Sequence, residues 1–471
     1  MSAAAPAANP QDGGGPAAPP VAPAAGAGKP APRTPGSGGE PDRDAAIFLP
    51  NLAGQWTDQS IETMARRVAV ALDRSASAEA RFVAKLGSTN EVYGNGLKAS
   101  VATISRVDGA AELPLIDVYG FEYHASLTSD WTRRNLFTKA LLVFVMTLYS
   151  TVRLIGSITR PRSRERRPTD EAGDRERTDG GGATRNHVRA TSPLHVLQLL
   201  YGLGILLVFS VYAAVVVVAF LQTAAHLPWL SKGHPSTLAQ RVVVIATAVG
   251  LSVPKMQDWI SKLAVDYLSA ITYLGFGQRK TVIAGELQAL LEHLAEHRDP
   301  TYARIHLIGY SFGSVIALDT LFPKGTAAPL RADKVRTVVT IGCPFDMVRT
   351  YWRDYFTERD EPGGRRKWWN VFNPDDVLSS NFRNDAETNG APTEGLDLAG
   401  DRAPDPGGDH VVRPDENIVY NPSGKGGLTI KGLFALTGLR AHAAYWDDDV
   451  DADTCLIPVM SRIYAGTKAL R

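Results

Sequence analysis

A short turn with one serine between two glycines constrains the fold of this chain more than any other feature. The segment 304–308 before it, with Ile305, Leu307 and Ile308, predicts a buried strand, and the segment 313–321 after it predicts a helix. Only the Gly309–Gly313 turn, of sequence G-Y-S-F-G, separates the two. The positions two residues before and after Ser311 crowd together in such a turn, and glycine relieves the crowding because it has no Cβ. A strand, a tight turn and a helix in direct succession predict an α/β fold.

Short apolar segments alternate with amphipathic ones on both sides of this turn. We predict strands at 46–49, 100–104, 115–119, 304–308, 335–341, 369–372 and 417–420, and helices at 58–72, 256–274, 281–297 and 313–321. This order is typical of a mostly parallel sheet covered by helices.

A low-complexity tail precedes the α/β domain, and an insertion divides it. Residues 1–44 contain 30 Ala, Pro and Gly, which offer too little apolar surface to offset the entropy of ordering, so we predict a disordered tail. The first part of the domain then covers 45–135 and the second part 255–471. Residues 136–254 form the insertion, which includes a charged loop at 159–192.

The insertion carries the most apolar segments of the chain. Residues 199–221 are 23 residues without a charge, enough for a helix across about 30 Å of hydrocarbon. Residues 136–158 are a second candidate, although Lys139 and Arg153 limit its uncharged stretch and would have to reach outward. The segment 242–254 is too short to span. Because both parts of the α/β domain must lie on one side, we predict a membrane helical hairpin of two spans; a hairpin lying in the interface is the alternative.

Two features disagree on which side of the membrane the α/β domain faces. The segment between the two candidate spans carries nine Arg, which favours a cytoplasmic loop and an external domain. Roughly 130 residues without a signal-peptide pattern precede the first candidate, which favours a cytoplasmic domain. We expect the domain to face the cytoplasm, against the arginine count.

Ser311 stands where a nucleophile needs to be. A sharp turn after a strand lifts its hydroxyl above the sheet edge and leaves the N–H of Phe312 at a helix N-terminus, where it can bind an oxyanion. With strand and helix on either side, the pattern resembles the lipase and esterase branch of the α/β-hydrolase superfamily, over roughly 45–130 and 256–471. The resemblance implies a three-layer α/β-hydrolase fold, with Ser311 as nucleophile and Gly309 and Gly313 as the elbow glycines. A purely structural turn is the alternative.

The resemblance also implies an acid on the loop after a later strand. The predicted strand at 369–372 leads into the sequence N-P-D-D-V at 373–377. Similar enzymes often carry Asp-Pro-Val there, which aligns with 375–377 and favours Asp375, with Asp376 as the alternative acid. A solvated turn or a helix cap is the alternative role for the pair.

Two histidines follow this loop in the chain. His410 lies in a stretch rich in Gly and Asp that we predict to be on the surface. His442 lies in R-A-H-A-A-Y-W, after the last predicted strand, and this segment is similar to the family's histidine loop. We therefore expect His442 to be the base that deprotonates Ser311; a capping or partly buried histidine is the alternative.

The second oxyanion donor of the family comes from the loop after the first strand. Here the loop reads P-N-L-A-G at 50–54 and lacks the His-Gly that the family often carries. Asn51 tolerates left-handed backbone angles. We expect the N–H of Leu52 to be the second donor, beside that of Phe312.

Composition argues against several other functions. The chain has 50 Lys+Arg against 49 Asp+Glu, a balance that does not suit a general nucleic-acid binder. Its two cysteines, Cys343 and Cys455, make neither a disulfide framework nor a metal cluster, and we predict that both are buried. His293 and His297 match an H-x-x-E-H pattern of zinc peptidases, but no third ligand lies nearby in sequence. Neither a metal nor an organic cofactor is implied.

These features predict a membrane-associated serine hydrolase that cleaves a carboxylic ester by a Ser-His-Asp triad. Because the apolar insertion adjoins the site, we expect a lipophilic ester substrate and contact with membrane lipids. An acyltransferase that uses the same triad is one alternative. A catalytically inactive, membrane-tethered interaction module is another, and the altered oxyanion loop favours it.

Overall fold

The computed structural model describes the α/β domain and the first helix of the insertion. The described residues are 43–52, 58–77, 80–87, 91–134, 136–159, 204, 254–297, 302–326, 329, 331–361, 363, 366–382, 394–399, 411–420, 441–442, 444–446, 453–467 and 470. Apart from a few residues at their ends and Gly204, the predicted tail, the charged loop at 159–192 and the segments 199–221 and 242–254 lie outside this set.

A mostly parallel sheet forms the centre of the described domain. Strands β1 to β11 are, in chain order, Asp44–Leu49, Arg81–Leu86, Glu91–Tyr93, Leu97–Asp108, Ala111–Gly120, Arg304–Tyr310, Val335–Ile341, Lys367–Phe372, Leu396–Asp397, Val411–Val412 and Glu416–Val419. Among the described residues, nine of them join in one sheet of order β11-β8-β7-β6-β1-β5-β4-β2, with β3 paired to β4. Neighbours from β11 to β5 are parallel, whereas β4 runs antiparallel to β5, β2 and β3. The predicted α/β class with a mostly parallel sheet is confirmed.

Helices connect the strands and cover both faces of the sheet. Helices α1 to α8 are Asp58–Ser75, His124–Thr132, Leu136–Thr159, Pro254–Phe276, Gln278–Glu292, Phe312–Leu321, Phe345–Tyr351 and Leu456–Ile463. The predicted helix at 281–297 is observed as α5, followed by one π-helical turn, His293–His297. The antiparallel pair β9 and β10 lies in the Gly- and Asp-rich stretch around His410 that we predicted to be on the surface, although Leu396 of β9 is fully buried.

The sheet has a hydrophobic core on each face, because side chains along a buried strand alternate between the two faces. In β1, Ala45 and Ile47 pack into the core that contains α5 and α6, while Ala46 and Phe48 pack into the core that contains α1 and α8. Because β1 is buried on both faces, it is apolar at every position after Asp44. The parallel strands β1, β6, β7 and β8 all end at the same edge of the sheet, so the loops that follow them meet there.

The first predicted span, 136–158, is observed as the helix α3. It packs against α4 and α7 of the α/β domain. In the part of the chain that the structure describes, no helix is long and apolar enough to cross a membrane. The second predicted span, 199–221, lies outside that part apart from Gly204.

Candidate active site

The turn between β6 and α6 holds Ser311 in a strained conformation. The backbone of Ser311 has φ 55° and ψ −121°, a region that non-glycine residues rarely adopt. A Cβ at Gly309 would lie 2.6 Å from Cα of Ser314, and a Cβ at Gly313 would lie 2.4 Å from the carbonyl oxygen of Pro50. Both positions therefore require glycine, as the sequence predicted. Such strain costs of order 1–3 kcal/mol and is typical of functional turns.

Ser311, His442 and Asp376 form a continuous line of hydrogen bonds. The Nε2 of His442 lies 2.7 Å from Oγ of Ser311, and its Nδ1 lies 2.7 Å from Oδ2 of Asp376. Since a carboxylate only accepts, Nδ1 carries the proton and Nε2 is free to accept one from the serine hydroxyl. The three residues are separated by up to 131 positions in the chain, and the carboxyl edge of the sheet brings them together.

The carboxylate that contacts His442 is that of Asp376, the alternative acid, and not that of Asp375, which the sequence favoured. The turn after β8 is closed by a hydrogen bond from the N–H of Asp376 to the carbonyl of Asn373, 3.0 Å long. In the same turn the N–H of Asp375 donates to Oδ1 of Asn373, also at 3.0 Å. Neighbouring residues of a turn point in different directions, and this turn directs Asp376 inward, where it is 1% exposed. Asp375 lies beside it without reaching the histidine.

Tyr310, which precedes the serine, holds the histidine from one side. Its ring stacks on that of His442, with centroids 5.6 Å apart and 22° between the planes. Its hydroxyl donates to the backbone carbonyl of His442. Burial raises the pKa of the Tyr310 hydroxyl, so it stays protonated and remains a donor. The Tyr310 ring also packs edge-on against the ring of Trp446, with centroids 5.4 Å apart. This contact joins Tyr310 to the end of the segment that carries His442.

Tyr445 supports the acid and was not assigned a role from the sequence. Its hydroxyl donates to Oδ2 of Asp376 at 3.1 Å and accepts from the N–H of Asn373 at 2.8 Å. Burial raises the pKa of Tyr445 well above its ordinary value, and the charge of Asp376 raises it further. The tyrosine is therefore a permanent donor to the carboxylate. Gly342, at φ 57°, makes room for it, since a Cβ there would lie 2.9 Å from the Tyr445 ring.

Of the two expected oxyanion donors, one lies in the serine turn and the other in the turn after β1. Phe312 is the first residue of α6, where an amide has no acceptor within its own helix. Leu52 lies in the turn after β1 and packs against the same core as Phe312. The start of that turn is fixed at the elbow because Gly313 contacts the carbonyl of Pro50, which accepts a 2.8 Å hydrogen bond from Tyr123.

A buried ionic network anchors the other end of α6. Asp319, in the third turn, accepts a 2.7 Å hydrogen bond from Arg359 and pairs with Lys280 at 2.9 Å. Tyr355 also donates to this carboxylate. Burial opposes ionisation of Asp319, but Lys280 and Arg359 outweigh it and hold its pKa below the usual range. The helix that carries Ser311 is therefore fixed at both ends.

The sequence also singled out His410, His293 and the two cysteines. His410 is outside the described residues. His293 lies in the π-helical turn after α5 and pairs with Glu91 of β3 at 3.0 Å. Within the described ranges no group of His, Cys, Asp and Glu is arranged to hold a metal ion. Cys343 and Cys455 are free and fully buried, as predicted.

The fold and site define an α/β protein with a Ser–His–Asp constellation at the carboxyl edge of a mostly parallel sheet. Comparisons with protein-family models, with curated proteins and with solved structures found no match for this chain. The geometry of the site therefore carries the functional argument by itself.

Proposed function

We propose that this protein is a serine hydrolase of the α/β-hydrolase type that cleaves carboxylic esters. The observation that carries the proposal is the pair of 2.7 Å contacts that link Ser311 to His442 and His442 to Asp376, on a strained strand-to-helix turn. A serine hydroxyl is a weak nucleophile, and a base that is itself oriented by a carboxylate is what activates it.

The reaction follows from the positions of these atoms. Oγ of Ser311 attacks the ester carbonyl carbon while Nε2 of His442 takes its proton. Asp376 holds the imidazole in place and stabilises the positive charge that forms on it. The proton then passes from His442 to the departing alkoxide, which leaves as an alcohol. Water then attacks the acyl carbon while the same nitrogen takes its proton. His442 returns this proton to Oγ of Ser311 as the bond to the acyl carbon breaks and the acid leaves.

Two backbone N–H groups are assigned to the negative oxygen of the tetrahedral intermediate. That of Phe312 is favoured by its place at the N-terminus of α6. That of Leu52 is assigned because the turn after β1 is held against Gly313. Removal of one such donor in other enzymes costs about 3–4 kcal/mol of transition-state stabilisation. We therefore expect the absence of His-Gly from this loop to affect the rate of the reaction and not to change which residue is the nucleophile.

The proposal is tested by labelling the purified full chain with a fluorophosphonate, which reacts with activated serines. We expect Ser311→Ala to abolish labelling and His442→Ala to slow it by at least about a hundredfold. His293→Ala is the matched control, because this histidine also pairs with a carboxylate but lies away from the serine. A well-folded wild type that is not labelled would overturn the hydrolase and leave an inactive interaction module.

Turnover distinguishes a hydrolase from an acyltransferase. With p-nitrophenyl butyrate, a hydrolase releases butyrate in proportion to p-nitrophenol. An acyltransferase would instead divert the butyryl group to an added alcohol at the expense of butyrate. We expect free acid to be the main product.

A further inference from the structure

Helix α3 turns its apolar side chains outward. Leu141, Phe144, Val145, Leu148 and Val152 are 40–62% exposed and recur at helical spacing along one side. No charged residue occurs between 140 and 152. Large contiguous apolar surface of this kind is rare on a protein that faces only water.

The opposite side of α3, which is buried, is the more polar one. Thr147 and Ser150 are 1% and 3% exposed, and Lys139 is 9% exposed. These residues face α4, where Nζ of Lys139 lies 3.3 Å from Oγ of Ser261 and Oγ of Ser150 lies 3.4 Å from the hydroxyl of Tyr267. Val143 is also fully buried on this side, but the five exposed positions from 141 to 152 are all apolar, which is the reverse of the pattern on a helix that faces water. It is the arrangement expected where the outer solvent is hydrocarbon.

Cations lie at the ends of the exposed apolar side. Arg133 and Arg134 are exposed just before α3, and Arg153 is exposed just after Val152, with its guanidinium 5.2 Å from the Tyr149 ring. The uncharged stretch between 140 and 152 is about 20 Å long as a helix, less than the roughly 30 Å of a hydrocarbon core. Its length and flanking arginines suit a helix that lies in the interface, with the arginines at the level of anionic headgroups.

Helix α3 lies near the edge of the sheet that carries the serine. Helix α3 packs against α7, which begins at Phe345, three residues after the glycine that makes room for Tyr445 and His442. The same insertion contains the 23 uncharged residues 199–221. A surface that rests on lipid here would bring the carboxyl edge of the sheet close to the bilayer.

We propose that the outer side of α3 docks the protein on an anionic lipid bilayer. The occupant is the headgroup and upper acyl region of the bilayer, contacted by the five exposed apolar side chains. It follows that the esters which reach Ser311 are membrane lipids; this substrate class rests on the proposed function, whereas the docking surface does not.

The docking surface is tested by placing a fluorophore on it. Leu148→Cys is labelled with an NBD maleimide in the full chain, which is reconstituted into vesicles of phosphatidylcholine and phosphatidylglycerol. The native thiols do not compete, because Cys343 and Cys455 are fully buried and burial raises the pKa of both. Leu113→Cys is the matched control: Leu113 is also a leucine, 40% exposed, near the amino end of β5 and so at the opposite edge of the sheet.

Two quenchers then report what surrounds each label. We expect the label at position 148 to be quenched by a lipid with a nitroxide at acyl carbon 5 and to be protected from aqueous iodide. We expect the label at position 113 to show the reverse. Quenching of position 148 by iodide would mean that α3 faces water, and protection from both quenchers would mean that another part of the chain or a second copy covers it. Either result overturns the docking proposal.

Fluorophosphonate labelling of the same vesicles separates this proposal from the proposed function. Labelled Ser311 without lipid quenching at position 148 would remove the docking surface and leave the hydrolase. Lipid quenching without serine labelling would leave a membrane-docked protein that is not a hydrolase.

Discussion

Replacing either of two adjacent aspartates by asparagine tests which one serves His442. The carboxylate of Asp376 accepts three hydrogen bonds. Its Oδ1 accepts from the N–H of Leu378 at 2.9 Å, and its Oδ2 accepts from the hydroxyl of Tyr445 at 3.1 Å and from Nδ1 of His442 at 2.7 Å. An asparagine has the same shape but only one acceptor oxygen.

The fixed donor decides how the new amide turns in Asp376→Asn. The N–H of Leu378 belongs to the backbone and requires an acceptor, so the amide oxygen takes the Oδ1 position. The NH₂ group then takes the Oδ2 position and faces both the hydroxyl of Tyr445 and Nδ1 of His442. The hydroxyl can accept by turning its hydrogen away, and Nδ1 must accept instead of donate. The proton moves to Nε2, and the imidazole can no longer take the proton of Ser311. The same tautomer reversal in a serine protease lowers kcat by about 10⁴-fold, which is about 5.4 kcal/mol.

Asp375→Asn is the matched control, because it makes the same chemical change one residue away. Asp375 does not contact the histidine, and its N–H bond to the Asn373 side chain is unaffected by the substitution. We expect its rate to stay within about threefold of the wild type, an effect of the size usual for substitutions away from a network.

The assay is the second-order rate of fluorophosphonate labelling, with kcat/KM for p-nitrophenyl butyrate beside it. Circular dichroism and thermal unfolding of both variants establish that they are folded. The reasoning would be refuted if Asp376→Asn kept more than a tenth of the wild-type rate. It would also be refuted if Asp375→Asn proved to be the slower of the two.

Three further perturbations address the support of the site. Tyr445→Phe removes a donor to the triad carboxylate, so we expect about a tenfold lower kcat/KM and about 1–3 kcal/mol less stability, measured by ester hydrolysis and urea unfolding. Arg359→Met leaves the buried carboxylate of Asp319 with one partner fewer, so we expect the free energy of unfolding to fall by about 3 kcal/mol or more. Arg349→Met removes a part-exposed ion pair, so we expect a fall of at most about 1 kcal/mol in the same unfolding experiment. Burial raises the pKa of the Cys343 thiol, so iodoacetamide at pH 8 should modify it only after denaturation, as mass spectrometry would report.

The contribution of Asp319 to stability also depends on pH. Its pKa is lowered in the folded protein, so the stability that it adds is fully present above the ordinary carboxyl pKa of about 4. That stability is lost as the pH falls through the lowered value. When the free energy of unfolding is measured from pH 6 to pH 2, it should therefore fall less in Asp319→Asn than in the wild type. An equal loss in both would contradict the reasoning.

The parts of the structure that depend on neighbouring residues could be predicted from the sequence. The strand Val335–Ile341 was predicted at its observed bounds, because all of its residues except Arg336 are β-branched and turn residues follow it. The serine turn was also predicted, since both of its glycines are required by close contacts of the turn itself and of the neighbouring loop. His442 was singled out because few histidines follow the acid in the chain, and the structure places it against Ser311.

Other elements were missed because their stability comes from contacts distant in sequence. Strand β2 has mixed burial and pairs with β4, so its own residues give little sign of a strand. Helix α7 has seven residues, too few for a periodic pattern to stand out.

Which aspartate contacts His442, and which tyrosine contacts that aspartate, depends on the tertiary structure. Asp375 and Asp376 are alike in type and neighbours in sequence, and the difference between them is the direction in which one closed turn points each side chain. Tyr445 reaches Asp376 across 69 positions, a distance at which sequence spacing carries no information. The same limit applies to α3: its sequence indicated an apolar helix, but which side faces the protein depends on the helices that pack against it.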